Sequence, residues 1–143
     1  MTRSELRENV FKMLFRAEFH SDEEMASQIA LFQDGFYNLK EDDLKTITLK
    51  DEEVEEIKKR TTAVVEHLNE IDNKINSVSV GWKTSRMGKV DLTIIRLATF
   101  ELLYDDEIPN PVAINEAVEL AKKFGTDDSS SFVNGILGKV IAE

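Results

Sequence analysis

The chain has 143 residues and a formal net charge of −10. It is long enough to bury a core unaided, and its lack of cysteine excludes disulfides, zinc–thiolate sites and cysteine nucleophiles. It contains no run of about 18 apolar residues for a membrane span, and "MTRSELRENV" has no apolar stretch of the signal-peptide kind, so a soluble cytoplasmic protein is expected.

Both prolines, Pro109 and Pro111, fall in one short stretch, and β-branched residues do not alternate with polar ones over any useful length. This predicts an all-α fold. The first helix is predicted from about Ser4 to His20, with Leu6, Val10, Met13, Leu14 and Ala17 on its core face. "SDEE" at 21–24 reads as a capping box led by Ser21 and opens a second helix carrying Met25, Ile29, Phe32 and Phe36. Residues 38–50, "NLKEDDLKTITLK", have no clean period and read as a loop.

Residues 51–79 hold the strongest periodic signal. Val54, Ile57, Thr61, Val64, Leu68, Ile71, Ile75 and Val78 follow one another at steps of three and four. Such a seam fits a coiled coil or the long helix of a bundle. The other apolar helices favour the bundle, with one bend near Asn69. "GWKTSRMGK" breaks the pattern. The helix from Val90 to about Tyr104 is apolar nearly all round, so neighbours are expected on several sides. Arg96 and Glu101 within it each need a hydrogen-bonding partner, such as a helix end.

"IPNPVAINEAVELAKKFG" reads as a helix capped by Asn110, with Pro111 at its first position, Lys122 and Lys123 late, and Gly125 as its end. Thr126, Asp127 and Asp128 can cap the last helix, which runs from about Asp128 to Ile141. The expectation is a compact bundle of about seven helices. It forms a single domain over 1–143, divided near residue 70 into halves of about 1–69 and 70–143.

No catalytic constellation can be assembled. His20 and His67 are single and far apart, and metal-binding His pairs, a glycine-rich phosphate loop and Gly-x-Ser-x-Gly are all missing. No enzyme, metal or cofactor is expected, which leaves binding. Residues 82–100 carry four basic residues and one acid inside a strongly acidic chain. Counts alone favour charge scatter; a local positive surface forms if this segment meets residues 1–20, which carry +1, in space.

Two helix faces look suited to binding. Arg3, Arg7, Phe11 and Phe15 recur every four residues beside the first helix's core stripe. Arginine binds phosphate, and an exposed aromatic offers a platform to an unstacked base. Spacing favours the core for Phe11 and leaves Phe15 open. On the last helix, Phe132 lies about 100° from the middle of the apolar side. It shares its side with Asp128, Gly135 and Lys139. Spacing alone slightly favours packing of Phe132 around Phe124.

These residues also match a family. "WKTSRMGKVDLTIIRLATFELLYDDEIPNPVAINEAVELAKKFGTDDSSSFVNGIL" resembles the C-terminal half of the transcription antitermination factor NusB family. The likeness rests on Trp82, Arg86 and the segments "IIRLATFELL", "IPNPVAINEAVELAKKFG" and "DSSSFVNGIL". The N-terminal half matches loosely, by "RENVFKMLFRAEF". The resemblance implies two small helical bundles of three to four helices and no catalysis. It implies binding of boxA-type single-stranded RNA in nascent ribosomal RNA, together with the ribosomal protein NusE, within the RNA polymerase antitermination complex.

The resemblance places RNA contacts at the basic N-terminus, here Arg3 and Arg7, with Phe15, and at Asp128 and Phe132. Partner contacts fall at Phe15 and Asp91. It reverses the spacing argument for Phe132 and favours base contact. It allows a monomer or a homodimer. Many relatives carry a dense N-terminal arginine cluster, whereas this chain has Arg3 and Arg7, with Lys12 and Arg16 further on. The expectation is weak RNA binding by the chain alone. Two rival readings are an acidic protein-interaction adaptor without RNA binding and a NusB-like accessory domain of a ribosomal RNA methyltransferase. The second needs a catalytic domain after Glu143, in a longer reading frame.

Overall fold

The computed structural model describes residues 1–17 and 50–142. The helix expected to open at Ser21, and all of the 38–50 loop but Lys50, lie outside the described residues. Among these residues there are six α-helices and one 3-10 turn, and no strand. They are α1 (Arg3–Ala17), α2 (Asp51–Glu66), α3 (Leu68–Val78), the 3-10 turn Thr84–Arg86, α4 (Lys89–Tyr104), α5 (Asn110–Phe124) and α6 (Ser129–Ala142). The chain divides into two compact units, Met1–Ala63 and Val64–Glu143.

In the first unit, α1 starts at a reciprocal cap that the sequence reading passed over. The Thr2 hydroxyl accepts the Glu5 amide at 3.0 Å, and the Glu5 carboxylate accepts the Thr2 amide at 2.9 Å. The bond from the Thr2 amide, followed by the Thr2 hydroxyl beside the carboxylate, favours the charged form and holds Glu5 below its ordinary value of 4.5. Val10, Phe11, Met13 and Leu14 are buried, which places Phe11 in the core. At the start of α2, Glu53 accepts the Lys50 amide at 3.0 Å and the Met1 ammonium at 2.9 Å. Thr61 is a seam residue with a hydroxyl, and it stays buried because it donates to the Ile57 carbonyl at 2.7 Å.

The seam is interrupted at His67, two residues before the expected bend. His67 has φ −105° and ψ 11°, and its amide bonds the Val64 carbonyl at 3.1 Å. The tightened turn has a tertiary partner. The His67 ring lies 4.4 Å from Tyr104 and 5.8 Å from Phe100, both on α4. Along the seam, Leu68 beside the break is half-buried, and the other seven positions are buried.

In the second unit, α4 packs against α3, α5 and α6, α5 lies along α6, and α6 also meets α3. This explains why α4 is apolar all round. Ile94 and Ile95 are fully buried, each such side chain contributing about 1.5–3 kcal/mol. Arg96 has a carboxylate as a partner. Nε and Nη2 donate to the two oxygens of Asp72 on α3 at 2.8 and 2.7 Å. Burial raises the Asp72 carboxyl to about 6 and lowers Arg96. The two parallel charge-assisted bonds offset that cost.

Helix α5 starts one residue earlier than expected. Pro109 is its cap, extended at ψ 142°, and its carbonyl accepts the amides of Val112 and Ala113. Asn110 is therefore the first helical residue and Pro111 the second. Gly125 ends the helix as expected, but at φ −94°. Its reason for being glycine is space. A Cβ there would strike the Ser129 side chain and sit 2.8 Å from the Ala121 carbonyl.

Candidate nucleic-acid interface

The turn after Gly125 is closed from the far side. Ser129, buried at the start of α6, accepts the Thr126 amide at 2.9 Å through its hydroxyl and gives its own amide to the Thr126 carbonyl. This compact turn leaves Asp127 and Asp128 exposed. The Phe132 amide bonds the Asp128 carbonyl at 3.1 Å, so Asp128 and Phe132 stand one helical turn apart on the same side. Lys139 is exposed two turns further along that side.

Phe132 is half-buried. Its ring meets Trp82 edge to face, with centroids 6.1 Å apart and planes at 72°. Trp82 itself is 53% exposed. It follows Gly81, whose φ of 80° lies in the left-handed region that suits glycine. Asn76 on α3 pins the next residues. Its amide oxygen accepts the Thr84 amide at 2.8 Å, its amide nitrogen donates to the Thr84 hydroxyl at 3.3 Å, and its carbonyl accepts Lys83 at 3.0 Å. The segment "GWKTSRMGK" is thus a fixed shelf. Arg86 is exposed at its end, while Met87 is buried.

The remaining candidates are distributed as follows. Arg3 is exposed, whereas Arg7 is only 7% exposed. Phe15 is half-buried, with its ring 6.2 Å from Phe11. Asp91 is half-buried in the first turn of α4. Within the second unit, Asp128 and Phe132 share one helix side and Trp82 joins them. The Trp82 pairing was missed in sequence because the two rings are fifty residues apart in the chain. The available signal was a lone tryptophan in a polar, basic stretch.

A second feature lies on the opposite side of α6. An open groove of roughly 590 Å³ between α5 and α6 is lined by residues that include Pro111, Ile114, Val118, Asn115, Asn134 and Ile141. Asn115 and Asn134 are exposed along it. Gly135 and Gly138 leave the adjoining face of α6 bare, with open space where a Cβ would stand.

Among the described residues the helices of this length and order define an all-helical protein, with a part-exposed aromatic pair beside cations and acids. Among the described residues no group of side chains could hold a metal ion, and no helix is long and apolar enough to cross a membrane. The chain belongs to the NusB family, which it matches over residues 4–142. It is 52% identical to the transcription antitermination protein NusB of Agathobacter rectalis over 139 residues, covering 97% of this chain and 98% of that one. Its fold is similar to a solved NusB of T. maritima, at TM-score 0.79 and 34% identity, covering 100% of this chain and 92% of that one. It is also similar in fold to a structure of antitermination factors NusB and NusE in complex with double-stranded RNA. There the TM-score is 0.73 at 24% identity, covering 99% of this chain and 98% of that one. The family comprises antitermination factors and not enzymes.

Proposed function

We infer that the chain is a cytoplasmic transcription antitermination factor. With NusE it binds boxA-type single-stranded RNA in nascent ribosomal RNA transcripts, and within the RNA polymerase antitermination complex it supports processive transcription. Family membership is the observation that carries this reading. Phe132 supplies an aromatic surface for a base, and the exposed Asp128 carboxylate accepts hydrogen bonds from a base edge or a 2′-hydroxyl. Arg3 is the phosphate contact of α1. Arg7, with little surface in water, serves mainly to hold α1 in place. Phe15 and Asp91 belong to the NusE surface.

The test is to titrate the chain and NusE with a boxA-type RNA oligonucleotide, then to repeat it with Phe132→Ala and Asp128→Ala. Loss of one stacked base weakens RNA binding by about 1–3 kcal/mol. Both variants keep NusE affinity. Undiminished RNA binding by both variants would remove these residues from the interface. Charge reversal at Arg3 separates this reading from an adaptor that never touches RNA, since an adaptor keeps its function.

A further inference from the structure

The feature that the family reading leaves unused is Trp82. Trp82 is more than half exposed and close in the chain to Val80, which is 85% exposed, and it is an exposed apolar patch, rather than a single surface side chain, that marks an interaction surface. It is not a loose surface ring. The left-handed Gly81 and the three Asn76 bonds fix the chain on either side of it. Its ring also rests against Phe132, at a centroid distance within the ordinary 4.5–7 Å range for aromatic pairs. Phe132 is half-buried and Trp82 is the more exposed of the two. The larger free π-surface of the pair therefore belongs to tryptophan.

The surrounding charge names the occupant. Arg86, exposed four residues after Trp82, has its Cα within about 14 Å of it along the chain. Lys139 extends from the Phe132 side of α6. Asp127 and Asp128 are also exposed at the start of this helix, so the two cations and the aromatic pair suit an anionic partner with flat groups to stack, while Asp128 is left to accept hydrogen bonds from it.

Building on the RNA-binding reading above, we propose that Trp82 is a base-stacking residue of the RNA site. It forms with Phe132 a two-ring platform, and Arg86 takes an adjacent phosphate. Phe132 then acts partly by bracing the indole, so that loss of Phe132 also disturbs Trp82.

The chain has one tryptophan, so its emission reports this residue alone. The experiment uses the chain with NusE and a 5′-labelled boxA-type single-stranded RNA. RNA binding is followed by anisotropy of the label, and the Trp82 environment by indole emission, with Trp82→Phe as the blank for tryptophan in the partner. Three results are expected. Trp82 emission is quenched over the RNA range in which anisotropy rises. Trp82→Ala weakens RNA binding roughly 5- to 150-fold, whereas Trp82→Phe keeps most of the affinity. Arg86→Gln makes the salt slope shallower by about 0.7.

RNA that binds with unchanged Trp82 emission and equal affinity for Trp82→Ala overturns the proposal and leaves the RNA-binding reading standing. Weakened NusE binding by Trp82→Ala, with RNA affinity intact, also overturns it and makes the shelf a protein surface. No RNA binding by the unaltered pair removes the RNA-binding reading and this proposal together. The quenching measurement decides the matter even if Trp82→Ala fails to fold.

Discussion

Gly125 shows how one residue fixes the candidate site. Its backbone is extended and strains nothing, yet any side chain there collides with Ser129 and the Ala121 carbonyl. Ser129 is buried and bound to the Thr126 amide, so it has no easy retreat. Gly125→Ala is therefore expected to destabilise the second unit by about 1–3 kcal/mol, the usual cost of overpacking. Urea unfolding checks this, as a lowered midpoint at unchanged slope. A midpoint equal to that of the parent chain would show that the α5–α6 turn yields freely. Arg7 carries a different lesson, because residue type favoured a solvated phosphate ligand and its four-residue spacing from Arg3 did not reveal that it is buried.

At the scale of elements, the N-terminus of α1 is tied to the start of α2 through Met1 and Glu53, and this tie depends on pH. The hydrogen bond to the ammonium, followed by that to the Lys50 amide, holds Glu53 below its ordinary 4.5. The same contact raises the Met1 ammonium above its ordinary 8.0. The carboxylate's contribution is complete above 4.5 and is lost as pH falls through its depressed value. That of the ammonium is complete below 8.0 and is lost as pH rises through its raised value. The first turn of α1, which presents Arg3, is therefore expected to be best held between those limits. Amide exchange at Leu6, corrected for its intrinsic pH dependence, should show protection falling on either side. Glu53→Gln should flatten the profile, and a profile unchanged by that substitution would mean that the tie contributes nothing.

For the whole molecule, the expected weak RNA binding follows from how few cations this reading assigns to the RNA. They are Arg3, Arg86 and Lys139, all exposed. Three phosphate contacts on single-stranded RNA give a slope of log K against log salt of about −2. The chain alone should bind boxA-type RNA no more steeply than this, and a basic partner should raise both affinity and slope. The net charge of −10 favours such a partner by electrostatic attraction. A slope near −4 for the chain by itself would reveal further phosphate contacts among residues that this reading leaves out.

The helices of the second unit were legible in sequence because their information is local. Three-four spacing, Gly125 and the proline pair mark α3 to α6 to within a residue or two. The seam gave its buried positions correctly, including Thr61, since a helical hydroxyl can satisfy itself on the preceding turn. Asp128 and Phe132 could be nominated as a helix start and an aromatic off the core stripe. Tertiary structure alone decided the rest, because each remaining feature joins residues distant in the chain. His67 breaks the seam where it meets Phe100 and Tyr104. Arg96 finds Asp72 on another helix. Trp82 meets Phe132 across fifty residues. Helical periodicity records which side of a helix faces inward, but not which side chain of another helix will be waiting there.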